Sequence, residues 1–174
     1  MRSRTVLCAV ALVLNVTNAT AQNAPVTDCD KLAASPDDPQ RKAPGVALSK
    51  IKPKMAIPAC ETAVGKFPND ARFNFQLGRA YSRAKNYQTA VEHYKKSAEQ
   101  DYLSAQFNLG TMYYNGHGTA KDYVRAYMWF SLSGEDVASA VAKQKMVRRM
   151  SPAQIARAQE MTSQCKAQNL RNCD

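Results

Sequence analysis

The chain has 174 residues, in which 24 lysines and arginines outnumber 14 aspartates and glutamates for a net charge of +10. That length suits one domain with a continuous core rather than several. The sequence offers no serine, histidine and acid set, no paired-carboxylate pattern and no phosphate-binding glycine loop, which sets aside the commoner catalytic and nucleotide-binding classes.

Residues 1–21 have the three parts of a secretory signal peptide. Arg2 and Arg4 form a positive leader, Thr5 to Val16 is mostly apolar, and Ala19-Thr20-Ala21 offers small residues for cleavage. The apolar run is too short to span a bilayer. The expected product begins near Gln22, periplasmic or secreted, with no stable membrane insertion and about 153 residues left. Its basic excess then falls to 22 against 14.

Export also makes sense of the cysteines. Losing Cys8 with the leader leaves Cys29, Cys60, Cys165 and Cys173. An even number in an oxidising compartment suggests two disulfides, and four cysteines permit three pairings. The expected one is Cys29 with Cys60 and Cys165 with Cys173, because each pair joins one end of the chain to its own neighbourhood. Loop entropy values these at about 3.7 and about 2.6 kcal/mol. There is no C-x-x-C and only His93 and His117 are on hand, so neither metal nor cofactor is expected.

From 22 to 53 the chain is punctuated by Pro25, Pro36, Pro39, Pro44, Gly45 and Pro53, which rule out a long helix. A turn or two of helix fits 28–34, with Thr27 or Asp28 as N-cap. The remainder reads as an extended strap over a helical body, tied down at Cys29. Ala56 to Val64 then reads as a helix, with Pro58 in its first turn.

The stretch 105–134 is a helix–loop–helix unit that cannot bury its apolar face alone, so a repeat is expected. Placing Gly78 on Gly110 aligns Phe75 with Phe107, Leu77 with Leu109 and Tyr81 with Tyr113 at an offset of 32. Tyr87, Ala90 and Tyr94 match Tyr123, Ala126 and Phe130 at an offset of 36, the extra four residues falling in the loop. The small residues Gly110 and Ala126 let the two helices approach closely. Ala56, Cys60 and Ala63 repeat the spacing of Ala90, Tyr94 and Ser97, as the second helix of a unit whose first helix is missing.

Leu77-Gly78, Tyr81, Ala90 and Tyr94 resemble a tetratricopeptide repeat. Ala105, Leu109-Gly110, Tyr113, Gly116-x-Gly118, Asp122, Ala126, Trp129-Phe130 and Gly134 resemble its longer-looped relative, the Sel-one-like repeat, with departures at Thr119, Ser131 and Ser133. The resemblance implies an all-α fold, a short right-handed α-α superhelix of antiparallel helix pairs, and a bacterial origin. Repeats would occupy 54–134.

Residues 135–174 would then form degenerate capping helices. One helix is expected over 136–150, with Val137, Ala140, Val141 and Val147 along a face. Another starts at Ser151-Pro152-Ala153-Gln154, where serine caps, proline suits the first position and glutamine closes a capping box. Ile155, Ala158, Thr162 and Cys165 follow on one side of it. Lys143, Lys145, Arg148 and Arg149 gather at the end of the first of these helices, where cations favour a helix C-terminus. An exported chain rarely meets nucleic acid, so none is expected as a partner.

In the resembled fold the first helices of successive units line a concave groove. Arg72, Phe75, Arg79, Ser82 and Arg83 share that face of the first unit, and Phe107, Asn108, Thr111 and Tyr114 that of the second. Arginines beside aromatic rings and an asparagine amide suit an acidic or C-terminal peptide segment. His117, between two glycines, reads as an exposed loop residue rather than a ligand or acid–base group. Cysteine-rich members of the wider family are linked to β-lactam binding or hydrolysis, but their cysteines recur within each repeat, and neither complete repeat here contains one. The expected role is a non-catalytic protein-interaction module, an adaptor or regulator of envelope proteins. A weak cell-wall or β-lactam hydrolase is the alternative.

Overall fold

The computed structural model describes residues 24–171 and Cys173. The leader expected over 1–21 lies outside the described residues. Among these, eight α-helices and no strand are present: α1 (Asp28–Ala33), α2 (Pro53–Lys66), α3 (Ala71–Arg83), α4 (Tyr87–Ala98), α5 (Leu103–Asn115), α6 (Tyr123–Leu132), α7 (Val137–Val147) and α8 (Pro152–Ala167). A 3-10 turn at Leu48–Lys50 is the only other regular element of the strap besides α1.

Local chemistry sets the helix starts. Asp70 accepts the Arg72 amide at the head of α3, and Asp122 accepts those of Val124 and Arg125 at the head of α6. Asp136 accepts the Ser139 amide at the head of α7, and Ser151 with Gln154 closes the expected capping box of α8. Each satisfies a donor that has no partner within its own helix. Gly116 ends α5 in the left-handed conformation, with φ of 73°, which costs glycine least.

Helices α3/α4 and α5/α6 form two antiparallel pairs stacked in chain order. The repeat register is written in their contacts. A β-carbon placed on Gly78 would stand 2.6 Å from Tyr94 Cδ1, and one on Gly110 would stand 2.9 Å from the Phe130 ring and 3.2 Å from the Ala126 carbonyl oxygen. Glycine thus buys the same close approach in each unit, against the same aromatic position. Alanine is the better helix former by about 1 kcal/mol, so Gly110→Ala would stabilise a helix that was free to shift. We expect urea denaturation to show instead a net loss of about 1–2 kcal/mol, because overpacking outweighs propensity; a gain would mean that the α5/α6 contact is loose.

Helix α3 divides the core. Phe73 and Leu77 pack with α1 and α2, whereas Phe75 packs with Tyr94 and Tyr102 on the other side, at ring separations of 6.1 and 5.2 Å. Cys29 on α1 is bonded to Cys60 on α2, and both are fully buried. Cys60 therefore stands where later units place Tyr94 and Phe130, and α1 with its disulfide occupies the place of the missing first helix. At the other end Cys165 of α8 is bonded to Cys173.

Two sequence expectations need correction. Helix α2 begins at Pro53, so Pro58 lies inside the helix rather than in its first turn. It is exposed there, where the carbonyl it deprives of a donor can meet water. On α7 the expected apolar face of Val137, Ala140, Val141 and Val147 points to solvent, and the buried residues are Ser139 and Met146. The Ser139 hydroxyl is inserted between Asp136 and the buried Ser133 hydroxyl, at 2.8 and 2.9 Å. That polar anchor fixes the rotation of α7 against its valines.

Candidate functional site

The concave face of α3 carries Arg72, Gln76, Arg79 and Arg83, spaced so that their side chains form one row. In the structure this row grips the strap. Arg72 Nη2 donates to the Ala24 and Pro25 carbonyls, each at 3.4 Å. Arg79 donates to the Ala33 carbonyl and, at 2.8 Å, to that of Val46. Arg83 Nε donates to the Ser49 carbonyl at 3.2 Å. Gln76 Nε2 donates to Asp30 Oδ1 at 3.0 Å, and Arg72 forms ion pairs with Asp30 and Asp70 at 3.2 and 3.3 Å.

The groove expectation is therefore corrected for three residues. Arg72, Phe75 and Arg79 are 2%, 1% and 4% exposed, so no partner reaches them while the strap is seated. Burying guanidinium groups is costly unless every charge finds a counterpart, and the strap supplies counterparts through Asp30 and a series of main-chain carbonyls. Phe75 faces the core. Phe107 is half-buried against Phe130, with ring centres 5.2 Å apart.

The strap also reaches the second unit. Asp38 is fully buried and accepts from the Tyr102 hydroxyl and, at 3.2 Å, from Ser104. Burial, and then the bond to Asp38, push the Tyr102 hydroxyl far above the usual tyrosine range, so it stays a donor at any physiological pH.

Beyond Ser104 the concave face lies open. A cleft of about 600 Å³ runs between the 3-10 turn of the strap and α5, lined by Arg83, Lys85, Asn108, Thr111, Asn115 and His117 among others, with no carboxylate in its lining. Asn108 and Thr111 are half-buried, and Asn115 is exposed. His117 stacks on Tyr87 with ring centres 4.4 Å apart. Gly118 next to it has φ of 73° and lies so close to the Tyr87 carbonyl that a β-carbon would stand 2.4 Å away. The long loop of the second unit is thereby docked on the first, and His117 becomes a fixed wall of the cleft.

Past Thr111 on the same helix, Tyr114 meets α6 and α7. Its ring lies 5.8 Å from that of Tyr123, with Lys145 Nζ 5.2 Å and Arg149 Cζ 5.8 Å from its centre. Arg149 also donates to the Tyr123 hydroxyl at 3.3 Å. Lys145 and Arg149 are exposed and, among the described residues, neither is paired with a carboxylate. The nearby Asp122 is engaged by Arg125 at 2.7 Å.

Of the sequence-expected site residues, the structure thus gathers Arg83, Asn108 and Thr111 in the open cleft and adds Lys85 and Asn115 to them. Tyr114 lies outside that lining, against Tyr123, Lys145 and Arg149. Asn115 could have been found by carrying the offset of 32 one step further, from Arg83; the meeting of Tyr114 with Lys145 and Arg149 leaves no local sequence signal. His93, the other histidine, stacks on Tyr81 and bonds Asn74 at 3.0 Å. Burial, and then Lys96, hold its imidazole below the usual range. Among the described residues no three His, Cys, Asp or Glu side chains come together as a metal-ligand set.

These features define a short helical-repeat solenoid whose first concave face is occupied by its own chain. Two segments of it, 71–102 and 103–136, match the Sel1 repeat family model, and they coincide with the α3/α4 and α5/α6 pairs; the chain carries two Sel1 repeats. In three dimensions it is similar to a protective antigen present in uropathogenic Escherichia coli strains, described as displaying an SLR fold, with a TM-score of 0.61 and 25% identity. The likeness covers 69% of this chain and 27% of the antigen. No curated protein matches the sequence.

Proposed function

We propose that this chain is a protein-interaction module of the Sel1-repeat kind that engages its partner through the open half of its concave groove. The observation that carries the reading is the cleft between the seated strap and α5, where Asn108, Thr111 and Asn115 stay accessible while the equivalent row on α3 is already filled. On this reading the chain divides into a leader (1–21), a strap (22–53), the repeats (54–134) and a cap (135–174). The strap is then part of the binding surface, because the turn holding Ser49 forms one of its walls.

Two disulfides, and the lack among the described residues of a helix long and apolar enough to cross a membrane, are compatible with an exported protein. An envelope adaptor or regulator fits such a location, and no observation favours the hydrolase alternative. The test is a crosslinking capture from the native envelope fraction with the wild type and with Asn108→Ala/Asn115→Ala, both side chains lying outside the core. A defined protein captured by the wild type and lost from the folded variant is the expected result. Identical capture by both overturns the assignment of the groove.

A further inference from the structure

Helix α7 turns its apolar residues outward. Ser139, Ala142 and Met146 point inward, the first held by its hydroxyl between Asp136 and Ser133. Side chains three and four positions apart share a helix face, so Val137, Val141, Gln144 and Arg148 form one outward ridge. Val137 is 80% exposed, Val141 58% and Val147, beside the ridge, 44%. Leu103, also exposed, stands just before the head of this helix, 3.8 Å from where a β-carbon on Gly134 would lie. Apolar side chains scattered singly over a surface are ordinary, whereas a group of them on one short helix marks a surface that something covers.

The second half of the helix is cationic. From 137 to 159 the sequence contains Lys143, Lys145, Arg148, Arg149 and Arg157 and no aspartate or glutamate. Arg148 ends the ridge and Lys143 lies on one flank with Val147. Lys145 and Arg149 lie on the other, over the Tyr114 ring, where Arg149 also reaches the Tyr123 hydroxyl. Lys145, Arg148 and Arg149 are exposed and Lys143 is half-buried. Among the described residues none of these four is paired with a carboxylate. The acids before the ridge are Glu135 and Asp136, and Asp136 is engaged in capping α7 through Ser139.

We propose that the outer face of α7 docks the protein on an anionic phospholipid bilayer. Val137 and Val141 enter the boundary between headgroups and acyl chains, while Lys143, Lys145, Arg148 and Arg149 meet lipid phosphates. Charge complementarity decides the occupant. A second copy of this face would set four cations against four, with only Glu135 free of capping to answer them, and a soluble polyanion would give the valines nothing in which to bury. A bilayer with anionic headgroups over an apolar layer matches both halves of the helix. Long cationic side chains can keep their heads at the phosphates while their stems lie along apolar surface. Among the described residues no helix is long and apolar enough to cross a membrane, and the docking is peripheral. It is also separate from the cleft, whose lining includes no residue of α7.

Vesicle sedimentation of the purified, disulfide-intact protein tests this, with vesicles of equal phosphatidylglycerol and phosphatidylcholine and vesicles of phosphatidylcholine alone. Partition onto the anionic vesicles is expected to be about 100-fold stronger. Lys145→Ala/Arg148→Ala should weaken it about 20-fold, at about fivefold for each cation. Lys54→Ala/Lys66→Ala removes the same charge from α2 and should change it less than about threefold, because charges away from the contact are screened. Val137→Ser/Val141→Ser should weaken it about tenfold. All the substituted side chains are exposed, so melting temperatures near the wild-type value identify folded variants. Equal partition of wild type and the valine variant reduces the contact to adsorption by charge and overturns the proposal, as does equal binding to both kinds of vesicle. Equal loss in the α7 and α2 cation variants removes the assignment to α7. A dimer in analytical ultracentrifugation that the valine variant dissociates gives the face to a second copy and overturns lipid docking. Envelope capture through Asn108 and Asn115 is read separately, so failure on vesicles leaves the groove reading intact.

Discussion

Replacing Arg72 with alanine is expected to lower the unfolding free energy by about 3–5 kcal/mol, the range for stripping one partner from a buried ion pair. The buried guanidinium lies between Asp30 and Asp70 and also donates to the Ala24 and Pro25 carbonyls. Without it two carboxylates remain in the interior with no cation between them. Burial already pushes the Asp70 carboxyl above its usual range, and Arg72 is the strongest influence bringing it down. Urea denaturation at pH 7 measures the loss, and Asp30→Asn in the Arg72→Ala background should recover part of it. A cost under about 1 kcal/mol would show that the strap is held elsewhere. The same geometry makes charge reversal at Arg72 or Arg79 unsuitable as a probe of binding, since the result would report unfolding of the strap.

The second large effect concerns the covalent tie. Cys29→Ala/Cys60→Ala is expected to cost about 3.7 kcal/mol, from the loop that the bond closes in the unfolded chain. Its sequence separation of 31 exceeds the 8 of the Cys165–Cys173 bond, whose removal should cost about 2.6 kcal/mol on the same account. The two also differ in what they release. Loss of the first should make the strap susceptible to trypsin while α3 to α8 persist, whereas loss of the second should leave the strap protected. Limited proteolysis read by mass spectrometry separates them, and equal protection of the strap in both variants would show that its polar contacts suffice.

The repeat was legible in the sequence because packing constraints recur. Gly78 and Gly110 each face an aromatic residue across the pair, so residue type and spacing carry the signal through a loop insertion. The capping box of α8 and the pairing of the cysteines were legible for similarly local reasons. The occupant of the first concave face was not. The strap binds through carbonyls of Ala24, Pro25, Ala33, Val46 and Ser49, and every residue has a carbonyl. Arginines are also seldom buried, so Arg72 and Arg79 looked like free anchors. On α7 the valines suggested a core face, but one serine hydroxyl, inserted between Asp136 and Ser133, decided the orientation.

The route of the strap has a consequence for how the molecule is assembled as it is made. Chains are synthesised from their N-terminus, and early segments organise first. Cys29 meets its partner after 31 further residues, but Asp38 must wait for Tyr102, 64 positions later, and Ser104, 66 later. During that interval the strap is tethered at one end with the seat for its middle not yet made, and α3 already presents its arginines. Asp38 closes onto the second unit only when α5 arrives, so its burial follows that of the disulfide-tied part of the strap.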